Sequence, residues 1–249
     1  MVGAPTLVAV AHGSRDPRSA ATVSAVVDRV RATRPGTAVR TAFLDLNEPS
    51  VDQVLDSLAA QGETHAVAVP LLLGSAFHAR VDLPGILAAA AARHPWPRVT
   101  QAQVLGADPR LVSVLRERVL AACAGTGSAP NADRLGVAVA AVGSLSRSAN
   151  IRTTQVARRL AAWTGWQTET CFVTVDPDVT QATARLRAEG AEHIVVAPWF
   201  LAPGLLTDRL RNQAPDVVHA DVLGDHHALA EIVWNRYDSA VAEHLPLSA

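Results

Sequence analysis

The sequence predicts an α/β chain of two tandem repeats, each a four-stranded parallel sheet with helices on both faces. Three observations predict it. Short runs rich in Val, Leu and Ala alternate with amphipathic stretches along all 249 residues. Regular alternation of strands and helices produces a parallel sheet covered on both sides. The first apolar run, Leu7-Val-Ala-Val-Ala11, shows no polar alternation, as a strand buried on both faces requires. Finally, the landmarks of the first half recur, in the same order, in the second half.

In the first half, strands are expected near 6–11, 38–44, 66–73 and 99–105, and helices near 17–34, 49–61, 83–93 and 109–123. Strand one stops at His12-Gly13, where glycine permits a tight turn. Asp16 followed by Pro17 reads as an N-cap and first helical residue, so the first helix begins there. Glu48-Pro49 reads as the start of the second helix, and Asp82 precedes Leu83-Pro84 at the start of the third. Crossovers are expected to be right-handed. The flavodoxin-like strand order 2-1-3-4 follows, with strands one and three side by side at the switch point.

Gly125-Thr-Gly-Ser-Ala-Pro-Asn-Ala-Asp133 is a stretch of small residues and reads as a linker. The pattern then restarts. Val137-Ala-Val-Ala-Ala-Val-Gly-Ser144 echoes Val8-Ala-Val-Ala-His-Gly-Ser14, and Phe172-Val-Thr174 echoes Phe43-Leu-Asp45. The run Arg187 to Leu201 echoes Ala59 to Leu73, sharing x-His-x-Val-x-x-Pro, and Val222-Leu-Gly224 echoes Val104-Leu-Gly106. Four ordered echoes indicate duplication, with one domain over 1–124, a linker over 125–133 and a second domain over 134–249.

Composition excludes several classes of chemistry. Net charge is −1, so no basic field argues for nucleic acid or an anionic membrane surface. No apolar run reaches the length of a membrane span, and the N-terminus lacks the charged and apolar regions of a signal peptide. Two widely separated cysteines, Cys123 and Cys171, suggest a reducing, cytoplasmic setting. All 22 basic residues are arginine. Without lysine there is no Schiff base, no GK[ST] phosphate loop and no lysine general base.

His12 is the leading chemical candidate, a titratable ligand on the tip of a buried strand. Ser14 and Arg15 follow it and can offer a hydroxyl and a guanidinium; Asp16 is read as a cap only. His78 lies in the loop beyond strand three, so it can face His12 across one cleft. Two neutral imidazoles suit a divalent metal such as Fe²⁺, Co²⁺, Ni²⁺ or Zn²⁺, and they suit proton abstraction near neutral pH. Asp82 either orients His78 or caps the third helix. Asp45, at the end of strand two, is a third ligand candidate, with Glu48 as its competitor. His65 and His193 read as structural, His94 and His219 as surface residues, and adjacent His226-His227 as a poor chelate. Trp199 reads as a flat-ligand contact or as packing.

At these residues the chain resembles the class II chelatases, which insert a divalent metal into sirohydrochlorin, in their two-module form. The matching segments are Ala11-His-Gly-Ser-Arg-Asp16, Ala42-Phe-Leu-Asp-Leu-Asn-Glu-Pro-Ser50 and Val69 to Pro84, in order and spacing. The resemblance implies that His12 and His78 bind the incoming metal and accept the pyrrole protons. The family usually has glutamate at the position of Asp45, and aspartate is one methylene shorter. The positions of His12, His78 and Asp45 hold Val142, Leu206 and Thr174 in the second half, which implies one active site per chain. The second half is expected to supply side chains such as Arg209 or Trp199. The implied substrate is a flat tetrapyrrole with many carboxylates, which Arg15 and Arg80 are expected to meet. The metal, Fe²⁺ before Co²⁺ or Ni²⁺, is a substrate, and no nucleotide is expected. A monomer with its two repeats facing each other is expected.

Two other readings compete. A histidine phosphatase also uses a strand-end His-Gly, but it wants arginine before the histidine, where this chain has Ala11. A non-catalytic metal or tetrapyrrole carrier needs the same cleft as a chelatase, and only turnover separates the two.

Overall fold

The computed structural model describes residues 4–74, 81–95, 97–125 and 134–244. The first sheet has strands β1 (Thr6–Ala11), β2 (Val39–Phe43), β3 (His65–Pro70) and β4 (Arg98–Gln101) in the order β2-β1-β3-β4. All pairings are parallel; Ala11 lies opposite Phe43, and Val10 opposite Pro70. Its helices are α1 (Pro17–Thr33), α2 (Val51–Ala60) and α3 (Leu83–Arg93), followed by α4 (Pro109–Gly125). Gly125, expected in the linker, is the last residue of α4.

The second half repeats the plan. Strands β5 (Leu135–Ala141), β6 (Gln167–Phe172), β7 (His193–Pro198) and β8 (Val218–His219) form a parallel sheet in the order β6-β5-β7-β8. Helices α5 (Arg147–Thr164), α6 (Val179–Ala188), α7 (Leu205–Gln213) and α8 (His227–His244) follow these strands. The expected class, two α/β repeats with parallel four-stranded sheets, is therefore the observed one.

Local signals explain the helix starts. Asp16 accepts a hydrogen bond from the Arg18 backbone N–H (3.0 Å), and its carboxylate also binds the Arg18 guanidinium. Asp108 does the same for Arg110 at the start of α4. The second helix starts later than expected. Ser50, not Glu48 or Pro49, is its cap, because the Ser50 hydroxyl and Gln53 form a reciprocal capping box. Asp178 and Gln181 form the equivalent box at α6.

One face of the first sheet packs Val8, Val10, Ala42, Ala66 and Ala68 against Val51, Leu55, Leu58 and Leu83. The matching core of the second sheet joins Ala138, Ala140, Cys171 and Val196 to Val179, Leu186 and Leu210. Cys171 is fully buried here, and burial, aided by the charges of Asp178 and Glu169, pushes its thiol up to about 12. It is a core residue and not a nucleophile.

The compact units do not coincide with the repeats. One unit is Met1–Gly106 with Asp225–Ala249, and the other is Ala107–Gly224. The duplication led to expected domains at 1–124 and 134–249; in the structure the last helix of each repeat packs on the other repeat's sheet. Helix α8 packs on α1, β3 and β4, and α4 packs on α5, β7 and β8. Trp234 and Tyr237 carry α8 into the first unit. The Trp234 indole N–H donates to the Val30 carbonyl (3.2 Å), and the Tyr237 hydroxyl donates to the Pro5 carbonyl (2.6 Å). Arg34 lies over the Trp234 ring at 4.5 Å and pairs with Asp238.

The two lent helices use the same latch. Arg236 of α8 donates to the carbonyls of Val104 and Leu105 (3.0 and 3.2 Å), and Arg118 of α4 donates to that of Leu223 (3.0 Å). These acceptors belong to the two Val-Leu-Gly landmarks. These carbonyls lie beyond the last strand of each sheet, where a guanidinium from the packed helix donates to them. Both arginines stand at the tenth residue of their helix.

Candidate active site

The carboxyl ends of β1 and β2 bring the loops of His12 and Asp45 together by backbone bonds. Leu44 N–H donates to the Ala11 carbonyl (2.9 Å) and Asp45 N–H to the His12 carbonyl (3.0 Å). His12 is partly buried at this edge. Gly13 follows at φ +99°, and a Cβ there would run into the Asp45 carbonyl oxygen. Only glycine lets the two loops approach this closely.

Ser14 is held from two sides. Its backbone N–H donates to Asn47 Oδ1 (2.6 Å), and its hydroxyl accepts from the Asp16 N–H (3.1 Å). The hydroxyl proton remains available to an acceptor. Asn47 is the residue sequence reasoning passed over. Its signal was faint: an amide side chain in a proline-ended turn beside a Gly-Ser turn.

Arg15 is exposed next to this clamp. Asp16 is buried as a cap, as expected, and its hydrogen bonds from Arg18 hold the carboxyl below its usual range. Asp45 is exposed, and its carboxylate accepts from the Leu46 N–H at 2.8 Å. Glu48 is also exposed, in the same turn. Asp82 is partly exposed and stands at the N-cap position of α3, without a side-chain hydrogen bond to the first turn. His78 and Arg80 lie outside the described residues. Among the described residues there is no group of three or more His, Cys, Asp or Glu side chains able to hold a metal.

The second sheet carries the same backbone without the histidine. Val173 and Thr174 N–H groups donate to the carbonyls of Ala141 and Val142 (2.9 and 3.0 Å). Gly143 has φ +90°, and the Ser144 hydroxyl accepts from the Ser146 N–H (3.1 Å). Asn150 takes the role of Asn47, accepting from the Ser144 N–H at 2.9 Å. Thr174 Oγ1 donates to the Val142 carbonyl. The loop between Phe43 and Pro49 is one residue longer than that between Phe172 and Pro177; it includes Leu46 at φ +64°.

The remaining candidates sort by contact. His65 bonds to the Thr100 hydroxyl (3.2 Å), as a structural residue does. His94 pairs with Asp56 at 2.8 Å. His219, expected at the surface, is partly buried; its ring bonds to the Ala214 carbonyl (2.8 Å), and burial lowers its pKa. Trp199 is 5% exposed and therefore packs in the core, while Arg209 is exposed.

The family model CbiX matches residues 6–122 and again residues 136–240. A sirohydrochlorin ferrochelatase of Priestia megaterium is 25% identical over 233 residues, covering 90% of this chain and 86% of that protein. A sirohydrochlorin cobaltochelatase of the same organism is 27% identical, covering 81% of this chain and 65% of that protein. Among solved structures, SirB from Bacillus subtilis with Fe³⁺ superposes with a TM-score of 0.79 at 22% identity, covering 96% of each chain. That likeness establishes the fold. The family model matches both halves separately, as a duplication requires, and on that match the chain belongs to the CbiX family of class II chelatases.

Proposed function

We propose that this chain inserts a divalent metal into sirohydrochlorin without ATP, one active site per chain, at the carboxyl edge of the first sheet. The observation that carries this is the contrast between His12 and Val142 on one shared backbone clamp. A scaffold present twice, with an imidazole on only one copy, points to chemistry at that copy. The ferrochelatase and cobaltochelatase relatives support the substrate class.

Insertion exchanges two pyrrole protons for M²⁺, so the site must deliver a cation and accept two protons. A neutral imidazole does either. His12 and His78 are the proposed pair for both tasks, with Asp45 or Glu48 as a further oxygen ligand and Asp82 orienting His78. Clamping by Asn47 and Gly13 keeps the His12 loop in place, which matters because a misplaced catalytic group loses rate steeply. Ser14, Arg15 and Arg80 are proposed to meet the substrate's carboxylates. Imidazole accepts iron, cobalt and nickel, so donor type alone does not select the metal; Fe²⁺ is proposed first and Co²⁺ second. A monomeric, cytoplasmic enzyme is part of this reading, and the two buried cysteines, far apart in sequence, agree with it. Among the described residues, no helix is long and apolar enough to cross a membrane.

The test is turnover. Sirohydrochlorin is mixed anaerobically with Fe²⁺ or Co²⁺, and the absorbance change is followed with and without protein. The expected result is acceleration by the wild-type chain and loss of at least about 100-fold in His12→Ala and His78→Ala, the usual scale of a proton-transfer group. No acceleration over the spontaneous rate would make the protein a carrier and overturn the enzyme reading.

A further inference from the structure

Among the described residues, Leu46 is the one non-glycine residue with a positive φ, at +64°. A leucine is uncommon there, because its Cβ crowds the following carbonyl oxygen; glycine and asparagine are the usual occupants. The side chain gains little burial in return, since it is 49% exposed. An exposed leucine on relaxed backbone needs no explanation. One held outward by strained backbone does, and such outliers gather at sites of function.

The strained turn is fixed from both sides. The Leu46 N–H donates to Asp45 Oδ1 (2.8 Å), and the Asn47 N–H donates to the Asp45 carbonyl (2.8 Å), which closes a three-residue turn around Leu46. Turns of this size with a positive central φ are rare and strained. Asp45 also donates its own N–H to the His12 carbonyl, and the Asn47 side chain accepts from the Ser14 N–H. Leu46 therefore stands between the two residues that tie its loop to the His12 turn.

The second repeat shows the alternative. Its loop is one residue shorter, and Val175, the residue after Thr174, is half-buried. A Cβ on Gly143 would lie 2.9 Å from Val175 Cγ2, so this valine turns back onto the Gly-Ser turn. In the first repeat the place over Gly13 is taken by the Asp45 carbonyl and Asn47 Oδ1, and the apolar residue that follows Asp45 is left exposed. The longer loop exchanges a packed apolar contact for an exposed one, in the repeat that carries the histidine.

We propose that Leu46 is a substrate contact, an apolar post beside His12 on which one face of the tetrapyrrole rests. The proposal rests on the functional reading above and uses residues of the first unit only. A macrocycle charged at its rim is apolar across its face, and an apolar side chain on a rigid turn adds contact at little ordering cost. Leu46 has no titratable or metal-binding group, so its part is to seat the ring while other residues handle protons and metal.

The experiment uses the full chain and metal-free sirohydrochlorin, whose fluorescence change on binding gives Kd, alongside thermal melts and steady-state kinetics with Co²⁺. Leu46→Gly and Leu46→Asn suit the positive φ and remove the apolar side chain. Both are expected to melt at or above wild type, while Kd and KM rise about tenfold and kcat stays within about twofold. Leu46→Met keeps the apolar reach and is expected to hold Kd within about twofold of wild type. Wild-type Kd in both Leu46→Gly and Leu46→Asn overturns the proposal. So does a lower melting temperature in both, which makes Leu46 a packing residue of its loop. A changed oligomeric state of both on size exclusion also overturns it, and makes Leu46 a contact between copies of this chain. A wild-type chain that binds the tetrapyrrole but does not accelerate insertion sinks the activity and leaves Leu46 to be judged by Kd. A chain that does neither sinks both.

Discussion

Replacing Trp234 by alanine should destabilise the first sheet, although Trp234 belongs to the second repeat. Its side chain is 2% exposed, its indole N–H holds the Val30 carbonyl, and Tyr237 meets it edge-on at 5.3 Å. Truncating a buried tryptophan costs about 3–5 kcal/mol, and the aromatic pair accounts for about 0.5–1.5 kcal/mol within that. Stability of a domain is only about 5–15 kcal/mol, so the loss should be large. It should also be local to one unit. Native-state hydrogen exchange reads this out, because protection reports the opening free energy of each segment. Amides of β1, β3 and α1 are expected to exchange faster in Trp234→Ala, while those of β5 and β7 keep their protection. Trp163→Ala is the control. That ring is 56% exposed under Arg116, and its removal is expected to cost less than about 1 kcal/mol. Weakened protection in β5 and β7 with β1 and β3 unchanged would refute the assignment of α8 to the first unit.

Two further outcomes follow from the loop clamps and caps. Gly13→Ala should destabilise by about 1–3 kcal/mol, from a strained positive φ and the collision with Asp45, and should also slow metal insertion. Gly143→Ala meets Phe172 and Val175 and should destabilise similarly but leave turnover per folded molecule near wild type; thermal melts and rates normalised to folded protein separate the two. Asp16→Asn keeps an oxygen for the Arg18 N–H but loses the charge that the guanidinium stabilises. Because Arg18 lowers the Asp16 pKa, the charge adds stability above the usual carboxylate value of about 4 and loses it as pH falls through the lower folded value. The gap in melting temperature between the two proteins should be open at pH 7 and should close progressively below about pH 4. An unchanged gap at pH 3 would contradict this.

The order of strands and helices was legible because each signal was local. Unalternated Val/Ala runs marked buried parallel strands, and Asp16-Pro17 with Asp108-Pro109 marked helix starts. The duplication was legible because the same turns need the same glycines, at Gly13 and Gly143. The exchange of α4 and α8 was not. An amphipathic pattern says which face of a helix is buried but not which sheet buries it. The latches of Arg118 and Arg236 became meaningful only once their acceptors, Leu223, Val104 and Leu105, were known. In the site, His12 stood out because a polar residue ended an apolar strand. Asn47 did not, because its partner is a backbone N–H 33 residues away. His219 was misjudged for a similar reason, since its ring bonds to a carbonyl that no composition rule reveals.

The lent helices also fix an order of assembly on the ribosome. The unit Ala107–Gly224 has all its parts once its own last residue has emerged. The sheet that begins the chain does not. Its strands are complete at Gln101, yet the helix carrying Trp234 ends at His244, 143 residues later. At about 5–20 residues per second, that is a wait of about 7–30 s with the α8 side of β3 and β4 uncovered. The half that is translated first and carries His12 is thus the half that closes last, and a nascent chain released early would hold a finished second unit beside an open first sheet.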